Sequence, residues 1–158
     1  MRTRLAIIIA VGSLVVAGCG DEHQEENIDE EGCEHLTQGP FVNVTAGAAL
    51  DVTAPAIAAD HKAYNVALAD GKVGYVSFAS SKEGDIVLFL DRDVAVAVSD
   101  AKSTAVAIEE SSKSSAACKD IAGRHVVPLG VGTYYIAFGP VTGATAFQVV
   151  VEPLEHED

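Results

Sequence analysis

The chain holds 158 residues, 49% of them hydrophobic and none of them Trp, which is enough for one domain of ordinary size. Lys and Arg number 10 against 23 Asp and Glu, a net charge of -13, so no basic face is available to neutralise phosphates and nucleic acid is excluded as a partner. Much of the apolar fraction is Ala and Val, which favours strands around a modest core over a large catalytic cavity.

Met1-Arg2-Thr3-Arg4 precedes an apolar run from Leu5 to Val16 and the small residues Ala17 and Gly18. This is the positive n-region, short h-region and small-residue exit of an export signal, predicted over residues 1–18. The run is too short to span a bilayer, for which about 20 apolar residues are needed. Val16-Ala17-Gly18-Cys19 resembles the lipobox of bacterial lipoproteins. That resemblance implies cleavage before Cys19 and diacylglycerol on its thiol, so that the chain is tethered to a membrane by acyl chains without being embedded in it. In the sorting rule of such proteins, Asp directly after the lipidated Cys retains them in the inner membrane. Here Gly20 occupies that place and Asp21 comes one later. The resemblance therefore implies the bacterial cell envelope, and the outer membrane over the inner one in a Gram-negative host.

Between residues 20 and 35 there are eight carboxylates and no Lys or Arg. Residues 19–35 are accordingly predicted to be the lipidated Cys and a disordered, self-repelling acidic linker. Residues 153–158 are expected to be a second acidic stretch, a solvated tail. These two segments with Glu152 hold twelve of the acids, leaving a nearly neutral body of 11 acids and 8 bases.

From Leu36 to Glu152 the pattern turns to alternation punctuated by turn residues, the period-2 mark of half-buried strands. Strands are predicted at 41–46, 49–53, 62–69, 73–79, 85–90, 94–99, 104–109, 125–129, 133–138 and 145–151. Asp70-Gly71 reads as a short hairpin, Asp91-Arg92-Asp93 as a charged hairpin turn, and Gly130-Val131-Gly132 as a turn. Ile86-Val87-Leu88-Phe89-Leu90 does not alternate, which predicts a central strand covered on both faces. Residues 111–121 are the one place where a helical turn is expected. Tyr134, Ile136, Phe138, Val149 and Val151 are predicted core. The expected fold is all-β, a single antiparallel β-sandwich of jelly-roll-like type.

Lys82-Glu83-Gly84-Asp85 with the apolar run that follows, Gly132-Thr133-Tyr134-Tyr135-Ile136-Ala137-Phe138-Gly139, and the closing strand from Phe147 to Val151 together resemble the bacterial pre-peptidase C-terminal type of β-sandwich. Members of that family usually accompany secreted peptidases, and the resemblance implies the sandwich alone. The whole chain also resembles a small family of bacterial lipoproteins that pair Cys-Glu-His near the tether with a later Cys and Arg-His. No activity is implied by that likeness.

With Cys19 lipidated, Cys33 and Cys118 are the remaining thiols of an exported chain. In an oxidising compartment they are expected to form a disulfide, with soft metal thiolates as the alternative. A disulfide would bring the neighbourhoods of His35 and His125 together, and His61 lies just before a strand. His35, His61 and His125 are therefore the candidate ligands for Zn or Cu(II), with Glu34 or Asp60 as a further carboxylate. The alternative is that the three histidines are surface or capping residues.

Gly-x-Ser-x-Gly elbows and phosphate-cradling loops before helices are absent, so no enzyme is expected. Two functions remain. One is a membrane-anchored, periplasm- or surface-facing lipoprotein that binds copper or zinc through clustered histidines. The other is a non-catalytic structural or interaction module contacting envelope proteins or glycans.

Overall fold

The computed structural model of the chain describes residues 22–143 and 146–154. The signal segment, Cys19 and the tail beyond residue 154 lie outside the described residues. One helix, α1 (Glu22–Gln38), precedes eleven strands: β1 (Phe41–Thr45), β2 (Ala56–Ile57), β3 (Ala63–Ala67), β4 (Gly74–Ser80), β5 (Gly84–Leu90), β6 (Val96–Asp100), β7 (Ala105–Val106), β8 (Glu110–Ser112), β9 (Gly123–Leu129), β10 (Gly132–Phe138) and β11 (Ala146–Leu154). They pair into a six-stranded sheet of order β1-β3-β11-β5-β9-β8 and a five-stranded sheet of order β2-β4-β10-β6-β7. The fold is the expected all-β sandwich. It departs from a purely antiparallel one at two edges, where β1 runs parallel to β3 and β2 parallel to β4.

Only the β6–β7 and β8–β9 connections join consecutive strands within one sheet; every other link crosses to the opposite sheet. Asp70-Gly71 and Asp91-Arg92-Asp93 are therefore corners between sheets and not hairpins. Turn chemistry specifies that a chain reverses, but not which sheet receives it. The expected strand at 49–53 is a run of turns and bends. Asp51 Oδ1 accepts hydrogen bonds from the Thr53 amide at 2.8 Å and the Thr53 hydroxyl at 2.6 Å, closing an Asx turn where extension was predicted. The helical turn expected within 111–121 is also absent: its first residues belong to β8 and the rest is irregular.

Strand β5 lies between β11 and β9 in the six-stranded sheet. Its alternation sends Ile86, Leu88 and Leu90 into the sandwich, where they join Val127, Leu129, Ile136, Phe138, Val149 and Val151. Phe138 meets Phe147 edge-on, with ring centroids 5.0 Å apart. Val87 and Phe89 point the other way and form a second core with Ala63, Val126 and Val150 on the outer face. This double burial is what the unbroken apolar run of β5 predicts.

The outer face is covered by α1, and here the linker expectation is corrected. The segment is rich in charge, but Ile28, Gly32, Cys33 and Leu36 fall on one helical face at spacings of about one and two turns. Ile28, Cys33 and Leu36 pack into the second core, while Glu30 and Glu34 stay exposed. Apolar spacing outweighs the charge count. The helix stops at Gly39, whose positive φ of 75° and amide bond to the His35 carbonyl at 2.9 Å form a C-terminal cap. Asp29 is buried beneath the helix, where its Oδ1 accepts from Arg124 Nε at 2.8 Å and its Oδ2 from the Ser115 hydroxyl. The packed unit therefore starts within the helix, ahead of residue 36, and β11 carries it past residue 152 to Leu154.

A Cβ at position 32 would overlap the Phe89 ring. Gly→Ala ordinarily stabilises a helix by about 1 kcal/mol, but Gly32→Ala is expected to lower stability by about 1–3 kcal/mol because the ring has nowhere to move. In a Phe89→Ala background the same substitution is expected to be neutral or stabilising, which urea unfolding of the four chains would measure.

Candidate metal centre

Four side chains from three elements converge at the edge of the covered face. Glu31 and His35 stand one turn apart on α1, facing the sheet. Glu152 comes from β11: Val149 and Val151 face the sandwich, so Val150 and Glu152 alternate outward, under the helix. His61 is carried by the link into β3, with a left-handed φ of 57°. That conformation costs a non-Gly residue about 1 kcal/mol or more and is commonly retained where a side chain must be aimed.

Tyr64 fixes this link. Its hydroxyl donates to Asp60 Oδ1 at 2.8 Å and accepts from the Ala58 amide at 3.1 Å. Burial, together with the neighbouring Asp60 carboxylate, pushes the Tyr64 hydroxyl pKa up to about 12, which keeps it a donor.

The distances are short. His61 Nδ1 lies 3.0 Å from Glu31 Oε1 and 3.2 Å from Glu152 Oε2. His35 Nε2 lies 3.8 Å from Glu152 Oε1 and 4.0 Å from Glu31 Oε1. The two imidazole centroids are 5.4 Å apart. One ligand atom from each of the four residues falls within 4.8 Å of the others. Metal bonds of about 2.1 Å to nitrogen and oxygen give a tetrahedral edge of about 3.4 Å, inside the range seen here. His35 Nδ1 is 3.3 Å from the Gly39 carbonyl, which can only accept; a proton on Nδ1 satisfies it and leaves the Nε2 lone pair facing the cluster.

Glu152 is the anomaly that marks the site. Its side chain is 0% exposed, and neither carboxylate oxygen accepts a hydrogen bond. Burial, reinforced by the Glu31 carboxylate, pushes its pKa up to about 7, with His35 pulling the other way. His61 and Glu31 are 60% and 42% exposed, so the cluster has a buried floor at Glu152 and an open mouth.

Of the three histidines proposed from sequence, His35 and His61 meet and His125 does not. His125 shares the inner-face alternation of Val127 and Leu129 on β9, whereas the cluster lies on the outer face. Its Nδ1 is 2.7 Å from the Ser111 hydroxyl, and burial, partly opposed by Asp93, lowers its pKa. Cys118 does lie beside the helix, but seven further residues bring the chain back on the other face. Neither expected carboxylate joins the cluster: Glu34 is exposed, and Asp60 accepts from Lys62 and Tyr64. Glu31 and Glu152 take their place. A helical reading of residues 28–36 would have paired Glu31 with His35, and extending the period of β11 by one residue would have placed Glu152 on the face of Val150, under the helix. Cys33 and Cys118 form a disulfide, so the thiolate-ligand alternative does not hold.

Compared with known proteins, the chain matches no family model and no curated sequence.

In chelator-treated protein, Glu152 binds its proton more tightly folded than unfolded, because its pKa is raised from 4.5 to about 7. Its contribution to stability is therefore fully present below pH 4.5 and declines as pH rises towards 7. Glu152→Gln removes that decline. The variant is expected to gain on the wild type between pH 5 and 8, by on the order of 3 kcal/mol at most, in urea unfolding followed across pH.

Proposed function

We propose that the chain is a lipid-anchored envelope protein that binds one divalent transition metal, zinc or copper(II), between Glu31, His35, His61 and Glu152. The observation that carries this reading is Glu152, a fully buried carboxylate with no hydrogen bond, aimed at two imidazole nitrogens. A buried carboxylate that accepts no hydrogen bond is expensive even with two imidazoles beside it, and a cation among these groups offsets that penalty. Two imidazoles and two carboxylates make a borderline donor set that suits Zn(II) and Cu(II). It lacks the sulfur donors that select Cu(I). Support for the anchor comes from Val16-Ala17-Gly18-Cys19, whose Cys stands three residues before α1 begins.

The chemistry offered is holding, for buffering or delivery. Glu31 and His61 at the mouth would be the first donors met by an entering ion, and His35 and Glu152 the inner pair.

Titration of the purified chain with Zn(II) and Cu(II) against a competing chelator is expected to give one tight site per molecule. His35→Ala or His61→Ala should weaken it at least tenfold, about 1.4 kcal/mol, while His125→Ala leaves it unchanged. Absence of stoichiometric binding, or tight binding that survives the His35→Ala, His61→Ala double substitution, overturns the reading.

A further inference from the structure

The Cys33–Cys118 disulfide is placed within the metal cluster's own supporting turn. Cys33 follows Glu31 by two residues and precedes His35 by two, so the crosslink grips the helix between its two ligands. Its other end, Cys118, is buried at 3% exposure in the second core, with the two Cα atoms 5.8 Å apart. The four ligands fall into two halves: Glu31 and His35 ride on the helix, and His61 and Glu152 belong to the sandwich. A metal must bridge the two. Helix and sandwich are otherwise joined by non-covalent contacts: the packing of Ile28, Gly32 and Leu36, the bonds of Asp29 to Arg124 and Ser115, and the ion pairs within the cluster itself. Of these only the Gly32–Phe89 contact falls between the two helical ligands, and it is non-covalent; the disulfide is the covalent link there.

Resting on the metal reading above, we infer that the Cys33–Cys118 disulfide is a redox gate on that site: oxidised, it presents both halves preassembled, and reduced, it lets the helix half loosen and release the metal. Reduction by a dithiol breaks the Sγ–Sγ bond; two electrons and two protons pass to the cysteines, giving two thiols, and the dithiol becomes a disulfide. The freed helix segment must then be ordered again by the metal itself, and that ordering is subtracted from its affinity. Coupling of this kind runs in both directions: a metal that favours the docked helix also protects the disulfide.

The test is Zn(II) affinity of the purified chain, oxidised, beside a Cys33→Ser, Cys118→Ser variant; serine is used so that free thiols, with Asp120 close by, do not bind the metal themselves. The variant is expected to bind Zn(II) at least tenfold more weakly while retaining the sandwich by circular dichroism. A second measurement needs only the wild type: the half-time of disulfide reduction by excess phosphine, with and without one equivalent of Zn(II). Zinc is expected to slow reduction severalfold, and this decides the matter if the variant does not fold. Equal affinity in a folded variant, or reduction that zinc leaves unchanged or accelerates, overturns the gate while leaving the metal reading intact. A wild type that binds no zinc overturns both.

Discussion

The six-stranded sheet is apolar on both faces, and everything notable about this molecule follows from the need to cover the second one. The inner face is served by the opposing sheet. Val87, Phe89, Val126 and Val150 on the outer face would otherwise meet water. Burying a side chain of that size is worth about 1.5–3 kcal/mol, so a segment able to lie across them is strongly drawn there. Helix α1 is that segment. Its apolar face is narrow, just Ile28, Cys33 and Leu36 with a gap at Gly32 into which the Phe89 ring fits.

Covering the face also encloses polar groups, and these are treated in two ways. Asp29 is matched: Arg124 and Ser115 satisfy both of its oxygens. Glu152 is not. It sits two residues beyond Val150 on the same face, and the helix above supplies another acid, Glu31, alongside His35. A sheet built for stability alone would place an apolar residue at position 152. The contrast between a hydrogen-bonded carboxylate and one that accepts no hydrogen bond, under the same helix, is the observation on which the proposed ligand set rests.

Much of this was legible in the sequence, but by unequal routes. The sandwich and the centrality of β5 are written in hydrophobic period, which is a local quantity. The disulfide follows from counting thiols. Helix α1 is concealed because its acidic composition predicts disorder, and the three apolar residues that dock it are informative only once their spacing is projected onto a helix. Glu152 is concealed for the opposite reason: its place beside an acidic tail groups it with solvent, although the period of Val149-Val150-Val151 carries it into the interior. His125 shows the limit of inference by proximity, since neighbours along a strand lie on opposite faces, and a covalent link at Cys118 says nothing about the face reached at residue 125.

The order of elements within the six-stranded sheet has a kinetic side. Strand β11 ends the described chain, yet it is inserted between β3 and β5, and α1, at the other end of the described residues, packs on β11 and β5. The earliest segment therefore has no surface to dock on until the latest has been made. With nearly every connection crossing between sheets as well, loop closure must precede most of the rewarding contacts, the arrangement that slows folding in proteins of high contact order. In a chain exported N-terminus first, Cys33 would emerge with its partner 85 residues away and the strand beneath it still to come. In such a chain the acidic character of α1 would have a second use: like charges would keep the waiting segment extended and soluble until the sheet that claims it is complete.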